Sequence, residues 1–169
     1  DIPFCRISII TSDKHPTIGF NGYPVNGTPF FESKSRFDLI IVPAMYGDFS
    51  NNLVNSELLR WIVKQHKDGC CMCTVCAGSF LLAQAGLLDN RKATTHWALG
   101  DNFRLRFPRV NLKTDKMLVD EGDIITAGGV TAYQDLCLYI IRKFGSPELA
   151  STISKGLLDS VLYCENKPT

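Results

Sequence analysis

A cysteine on a tight turn between a strand and a helix is the residue of this sequence best placed to do chemistry. Cys76 follows the apolar run 70–75, and the small residues Ala77 and Gly78 lead directly into an amphipathic stretch. Such a turn lifts a side chain clear of the sheet, and the first amides of the helix favour a thiolate and any anion formed beside it. The pattern predicts a nucleophilic or redox-sensing thiol. The alternative is a small buried hydrophobe, because free cysteines are among the most buried residues.

A histidine lies at the end of the next predicted strand. His96 follows Cys76 by twenty residues. Because the ends of parallel strands share one rim of a sheet, His96 can act as a base toward the thiol or hold it as an ion pair. The alternative is a histidine that caps the following helix. His66 is predicted to face solvent on its own helix, and the sequence suggests no partner for it or for His15, which lies in a polar turn.

Four cysteines crowd into seven residues: Cys70, Cys71, Cys73 and Cys76. Their Cys-x-x-Cys spacings could suggest a metal site or a redox pair. Side chains along an extended strand point in alternate directions, however, so these thiols diverge instead of converging on one ion. We therefore expect no metal and no cofactor. The odd total of seven cysteines is interpreted as free thiols of a reducing, cytoplasmic compartment and not as a disulfide framework.

Short apolar runs alternate with amphipathic stretches, which is typical of an α/β fold with strands joined by crossover helices over a mostly parallel sheet. The predicted strands are 4–11, 37–42, 70–75 and 92–95, followed by a hairpin of 117–119 with 124–126. The predicted helices are 56–67, 80–85, 97–106 and 131–144, with a last helix that begins at 146–147. Gly128 and Gly129 mark a second strand-to-helix junction, and the segment 13–34 is predicted to be irregular or a hairpin.

Length and charge exclude several classes of protein. A chain of 169 residues fits one domain, here 1–169. Its 18 basic and 17 acidic residues nearly cancel to +1, whereas a DNA-binding module normally carries a clear basic excess. No apolar run approaches the ~20 residues that span a bilayer, and the first residues lack a signal-peptide pattern. We expect no membrane partner and no direct contact with DNA.

The segment 75–97, VCAGSFLLAQAGLLDNRKATTHW, closely resembles the ThiJ/PfpI superfamily, also called class I glutamine amidotransferase-like. The same pattern continues in order through RFPRV at 106–110, VDEGD at 119–123, TAGGV at 126–130 and DLCL at 135–138. Within the superfamily, the sequence looks most like the amino-terminal sensor domain of AraC-family (GlxA-like) transcriptional regulators. The resemblance implies a flavodoxin-like three-layer α/β sandwich, usually dimeric, in which Cys76 occupies a nucleophile elbow.

The sequence departs from the superfamily pattern in three places. In the superfamily a strand and a helix precede the segment seen here, and that helix carries the acidic partner of the cysteine. We therefore expect a fold that lacks the first strand and helix, with no acid to name beside Cys76. Ala77 stands where hydrolytic members commonly have His, and the loop from Pro43 to Gly47 lacks the paired glycines that help to form an oxyanion site. Each departure removes part of a catalytic apparatus while leaving a pocket.

The resemblance implies a ligand-sensing and dimerisation domain of an AraC-family regulator, with a small metabolite near Cys76 at the C-terminal rim of the sheet. Such regulators carry a helix-turn-helix domain after this one, so DNA would be bound only through a carboxy-terminal domain absent here. The alternatives are a cysteine-dependent hydratase or amidase-like enzyme, with Cys76 as nucleophile assisted by His96, and a redox-sensing thiol protein. The non-catalytic role is preferred. The expected ligand-binding residues are Tyr46, Gly47, Cys76, Ala77, His96, Trp97, Gly128 and Gly129.

Overall fold

The computed structural model describes residues 5–15, 17–19, 21–47, 53–129 and 131–165, with side chains described as far as residue 157. The chain divides into two compact units, one of residues 5–132 and one that begins at Tyr133. The single-domain boundary 1–169 stays a prediction. Among the described helices, none is both long enough and apolar enough to cross a membrane.

The strands, in chain order, are β1 (Ile10–Thr11), β2 (Thr17–Ile18), β3 (Pro24–Val25), β4 (Thr28–Pro29), β5 (Leu39–Val42), β6 (Cys71–Val75), β7 (Lys92–Ala93), β8 (Asn111–Leu112), β9 (Leu118–Asp120) and β10 (Ile124–Ala127). The helices are α1 (Ser56–Lys67), α2 (Ser79–Gln84), α3 (Gly100–Arg106), α4 (Ala132–Ile140) and α5 (Pro147–Glu165). Short 3-10 turns, Cys76–Gly78 and Trp97–Leu99, precede α2 and α3, and a π-helical segment, Ile141–Gly145, joins α4 to α5.

The first unit is built on a four-stranded sheet. β5, β6 and β10 lie parallel in that order, and β9 pairs antiparallel with β10 as the predicted hairpin requires. All five residues of β6 are buried. A parallel strand covered on both faces needs apolar or small side chains at every position, which explains the crowded cysteines of this segment.

Helix α1 begins where its sequence signals it. The side chain of Asn55 accepts a hydrogen bond of 3.0 Å from the amide of Leu58, which satisfies one of the free donors of the first turn. The buried residues of the helix are Leu58, Ile62 and Gln65. The helix ends at Lys67, as predicted, and Gly69 turns the chain into β6 with a φ of +95°.

The helical spacing predicts a solvent-facing His66, and this prediction is wrong. Its Nε2 lies 2.7 Å from a carboxylate oxygen of Asp123, and only 17% of the side chain is exposed. Arg91 binds the same carboxylate through both terminal nitrogens of its guanidinium. These bonds join the end of α1 to the residues just before β7 and β10, a tertiary contact that helical periodicity cannot reveal.

The first and fourth predicted strands are shorter in the structure, whereas the hairpin predicted as one possibility for the segment 13–34 is present. The first strand is confined to Ile10–Thr11 of the predicted 4–11, and Phe4 lies outside the described residues. Strand β7 ends at Ala93, because the next amide, of Thr94, donates to the hydroxyl of Thr126. The segment 13–34 contains the predicted hairpin, formed by β2 and β3.

Candidate functional site

Cys76 occupies a strained backbone position between β6 and α2. Its φ is +54°, in the left-handed region that non-glycine residues rarely adopt. The residue is buried, with 6% of its surface exposed. The strand, turn and helix predicted around Cys76 are therefore present, and the local geometry is that of a nucleophile elbow.

Two hydroxyl groups hold the carbonyl oxygen of Cys76. Ser79, the first residue of α2, donates to it at 3.1 Å, and Thr95 donates to it at 3.0 Å. Both hydroxyl-bearing residues are buried. The strained turn is thus fixed from its own helix and also from the segment that follows β7.

Close backbone contacts bring the predicted rim segments together. A Cβ on Gly78 would lie 2.6 Å from the carbonyl oxygen of Val42, so the elbow packs directly against the end of β5. A Cβ on Gly128 would lie 3.0 Å from the carbonyl oxygen of Thr95. Since β5, β6 and β10 run in parallel, the segments after all three strands meet at one edge of the sheet.

The electrostatic environment of Cys76 favours the protonated thiol. Burial raises its pKa, and a hydrogen bond from the backbone of Ala77 lowers it by less. The expected effect of the first helical amides is therefore present but is outweighed by desolvation. Burial also raises the pKa of Cys70, the residue just before β6, to about 12.

His96 caps the turn that follows it. Its Nδ1 accepts a hydrogen bond of 3.2 Å from the amide of Ala98, which is the capping arrangement left open as an alternative by the sequence. A ring nitrogen that accepts a hydrogen bond carries no proton itself. In the neutral ring the proton is then on Nε2, which can donate a hydrogen bond. The ring also lies against Trp97, with centroids 5.6 Å apart and planes tilted by 30°.

The remaining predicted rim residues differ in exposure. Tyr46 is 53% exposed and Trp97 is 74% exposed. Gly47 and Gly129 adopt φ values of +71° and +72°, which other residues reach only with strain. Within the described residues, no group of three or more His, Cys, Asp or Glu side chains is arranged to hold a metal ion.

The profile of the DJ-1/PfpI family matches residues 4–143, which include the elbow and the whole four-stranded sheet. The chain belongs to the DJ-1/PfpI family. This match confirms the resemblance to the ThiJ/PfpI superfamily.

Relatives of this DJ-1/PfpI chain include proteins named as regulators and one named as an enzyme. It is 33% identical over 150 residues to the HTH-type transcriptional regulator CdhR of Pseudomonas aeruginosa, covering 89% of this chain and 44% of the regulator. It is 28% identical over 157 residues to the isonitrile hydratase of Pseudomonas putida, covering 92% of this chain and 67% of the enzyme. The chain thus spans less than half the length of the regulator.

A solved structure of a THiJ/PfpI family protein from Pseudomonas syringae superposes with a TM-score of 0.75. The two chains are 25% identical, and the match covers 89% of this chain and 62% of the other. The likeness confirms the flavodoxin-like α/β fold predicted from the sequence.

Ser79 and Thr95 are the site residues of this DJ-1/PfpI chain that sequence reasoning missed. Both lie inside the segment that carries the family resemblance, Ser79 three residues after Cys76 and Thr95 next to His96. A hydroxyl in the first turn of the helix after a strained cysteine is the signal that could have identified Ser79. Thr95 has no comparable signal, because its bond to Cys76 joins segments that are distant in sequence.

Proposed function

We propose that the chain is the ligand-sensing and dimerisation domain of an AraC-type transcriptional regulator. A small metabolite binds at the rim near Cys76, and DNA is contacted by another domain of the protein. The domain acts as a homodimer whose conformational populations shift when the ligand binds. The residues proposed to contact the ligand are Tyr46, Gly47, Cys76, Ala77, His96, Trp97, Gly128 and Gly129.

This proposal rests on the Cys76 thiol and the His96 ring, the nucleophile and the base that a cysteine-dependent enzyme would need. Burial raises the pKa of the Cys76 thiol, so the nucleophilic thiolate is disfavoured. His96 uses Nδ1 to cap its own turn. Both side chains can still donate hydrogen bonds, from Sγ and from Nε2, which suits a ligand with carbonyl or carboxylate acceptors.

The similarity to CdhR supports the regulatory role, because it extends over 89% of this chain. The exposed ring of Trp97 next to His96 supports the position of the ligand. An aromatic face beside hydrogen-bond donors is a common composition of sites that bind small molecules.

The proposal is tested by thermal unfolding in the presence of a panel of small organic acids, amino acids and amides. A ligand that binds only the folded state raises the unfolding temperature. We expect at least one compound to stabilise the unmodified chain and Leu105→Ala, but not Trp97→Ala. Leu105 is the control because it is an exposed apolar residue that is not among the proposed ligand contacts. A compound that stabilised all three equally would bind elsewhere and would contradict the proposed rim site.

A cysteine-dependent enzyme is the second candidate, favoured by the similarity to isonitrile hydratase over 92% of the chain and by the strained φ of Cys76. The test incubates the chain with a simple alkyl isonitrile and follows the formamide, the product of adding one water, by NMR. Formamide production that disappears in Cys76→Ser would establish this candidate in place of the sensor. No turnover by the unmodified chain would remove it.

A further inference from the structure

Helix α1 has an apolar surface that the core does not use. Leu58 and Ile62 are buried, whereas Leu59 and Val63, one helical turn apart, are only half-buried. These two side chains line an open, shallow groove of about 660 Å³ between α1 and the end of α2, and Ala85 lines it on the α2 side. The groove is lined by other residues than the rim around Cys76.

Basic side chains from the same helix line this groove as well. Lys64 forms an ion pair with Asp68, which also lies at the groove. Arg60 and Lys67 line the groove too, and within the described part of the chain no carboxylate lies within ion-pairing distance of either. The net charge of the chain is only +1. Arg60 and Lys67 therefore concentrate positive charge beside the apolar floor of the groove, which is formed by Leu59 and Val63.

We infer that this groove binds an acidic amphipathic helix of a partner protein. The apolar floor accepts the apolar face of such a helix, whose anchors repeat every three to four residues. Arg60 and Lys67 are seven residues apart, about 10 Å along the axis at 1.5 Å per residue. Two carboxylates two turns apart on the partner helix match that separation.

Charge and shape favour a helix over other polyanionic partners. A nucleic acid backbone would bring phosphates against Leu59 and Val63, which offer it no hydrogen bonds, and against the carboxylate of Asp68. An extended peptide gains most of its affinity from the backbone of a sheet edge. The groove is lined by helix residues and by the residues directly after α1 and α2, so it provides no such edge.

The probe is a fluorescein-labelled helical peptide with leucines every three to four residues and glutamates seven residues apart. Its binding to the 169-residue chain is followed by fluorescence anisotropy. We expect the same peptide with lysine in place of glutamate to bind at least tenfold more weakly. A peptide that keeps the glutamates but replaces leucine with serine is also expected to bind at least tenfold more weakly. Equal binding of the serine peptide would overturn the apolar part of the inference.

Charge reversal on the chain locates the contact. We expect the double variant R60E and K67E to weaken binding at least tenfold, and the exposed control pair K34E and K92E to change it less than twofold. Equal losses in both double variants would mean diffuse electrostatic attraction and would overturn the inference, as would efficient displacement of the peptide by duplex DNA. Circular dichroism checks that each variant is folded, and R60Q with K67Q replaces the reversal variant if it is not.

Discussion

The side-chain hydroxyl of Thr95 donates a hydrogen bond of 3.0 Å to the carbonyl oxygen of Cys76. The two residues are 19 positions apart in the chain, so the bond connects the elbow to a different segment of the rim. Because Cys76 has a φ of +54°, its backbone gains from every contact that holds it in place. The position of the thiol therefore depends on a residue that carries no reactive group.

Replacing Thr95 with valine removes this donor while keeping the shape of the side chain. We expect Thr95→Val to lower the free energy of unfolding by about 1–2 kcal/mol, because a buried carbonyl loses one of its two donors. Urea titration measures the loss. Thr152→Val serves as the control, since the Thr152 hydroxyl donates to the backbone carbonyl oxygen of Glu148 at an exposed position, where the expected change is about 0.5 kcal/mol. Equal losses of unfolding free energy in the two variants would show that the hydrogen bond to Cys76 contributes no more than an exposed one.

The raised pKa of Cys76 predicts slow alkylation at neutral pH. Labelling with iodoacetamide, resolved by peptide mass spectrometry, should become half-maximal above the ~8.5 of an unperturbed thiol. Since the folded pKa lies above the unfolded one, the protonated thiol stabilises the fold at low pH, and this contribution is lost as pH rises through the folded value. His96→Ala should leave the labelling profile unchanged, because His96 caps its own turn. A depressed midpoint that rises in His96→Ala would reveal an activated thiolate.

The carboxylate of Asp123 predicts a loss of stability in acid. Hydrogen bonds, first from Arg91 and then from His66, outweigh burial and hold its pKa at about 2. The folded value lies below the unfolded ~3.9, so the stabilisation is present above pH 4 and is lost as pH falls toward 2. Asp123→Asn should lower stability at pH 7 by about 1 kcal/mol, a figure kept small because the side chain is 47% exposed.

The same substitution should flatten the fall in stability between pH 4 and pH 2, measured by urea titration at each pH. Asp101→Asn provides the comparison. The side chain of Asp101 is fully exposed, and its carboxylate forms a surface ion pair with Arg104 at 3.1 Å. That variant should behave as the unmodified chain does. An unchanged acid profile in Asp123→Asn would remove Asp123 as the source of the pH dependence.

Two glycine substitutions should have opposite effects. A Cβ at Gly78 would lie 2.6 Å from the carbonyl oxygen of Val42, so Gly78→Ala should destabilise the fold by about 3 kcal/mol. A Cβ at Gly156, within α5, meets no atom within 4 Å, and alanine is the better helix former there by about 1 kcal/mol. Thermal unfolding compares the two. A neutral Gly78→Ala would mean that the end of β5 moves away easily.

The elbow could be predicted from the sequence because its determinants are local. An apolar strand, small residues after Cys76 and an amphipathic stretch all lie within one short segment, and the structure confirms their arrangement. The fold class could be predicted for the same reason, since the alternation of strands and helices is a periodic property of the chain.

The chemistry of the site could not be predicted, because it depends on contacts between distant segments. A histidine at position 96 can serve either as a catalytic base or as a capping side chain, and only the direction of Nδ1 toward Ala98 distinguishes the two roles. The sequence shows the helical amides beside Cys76, but it does not show the burial that outweighs them. The hydrogen bond between His66 and Asp123 spans 57 residues, and the sequence cannot reveal it for the same reason.

Gly78 and Gly128 lie where one backbone touches another, and neither place has room for a further carbon atom without displacing a neighbour. Trp97, by contrast, projects outward from the same rim and is 74% exposed. Substitutions of the exposed rim side chains therefore cost little folding stability, whereas substitutions of the two glycines cost much more. One scaffold can then carry different sites, and relatives of this chain are indeed named both as a transcriptional regulator and as an isonitrile hydratase.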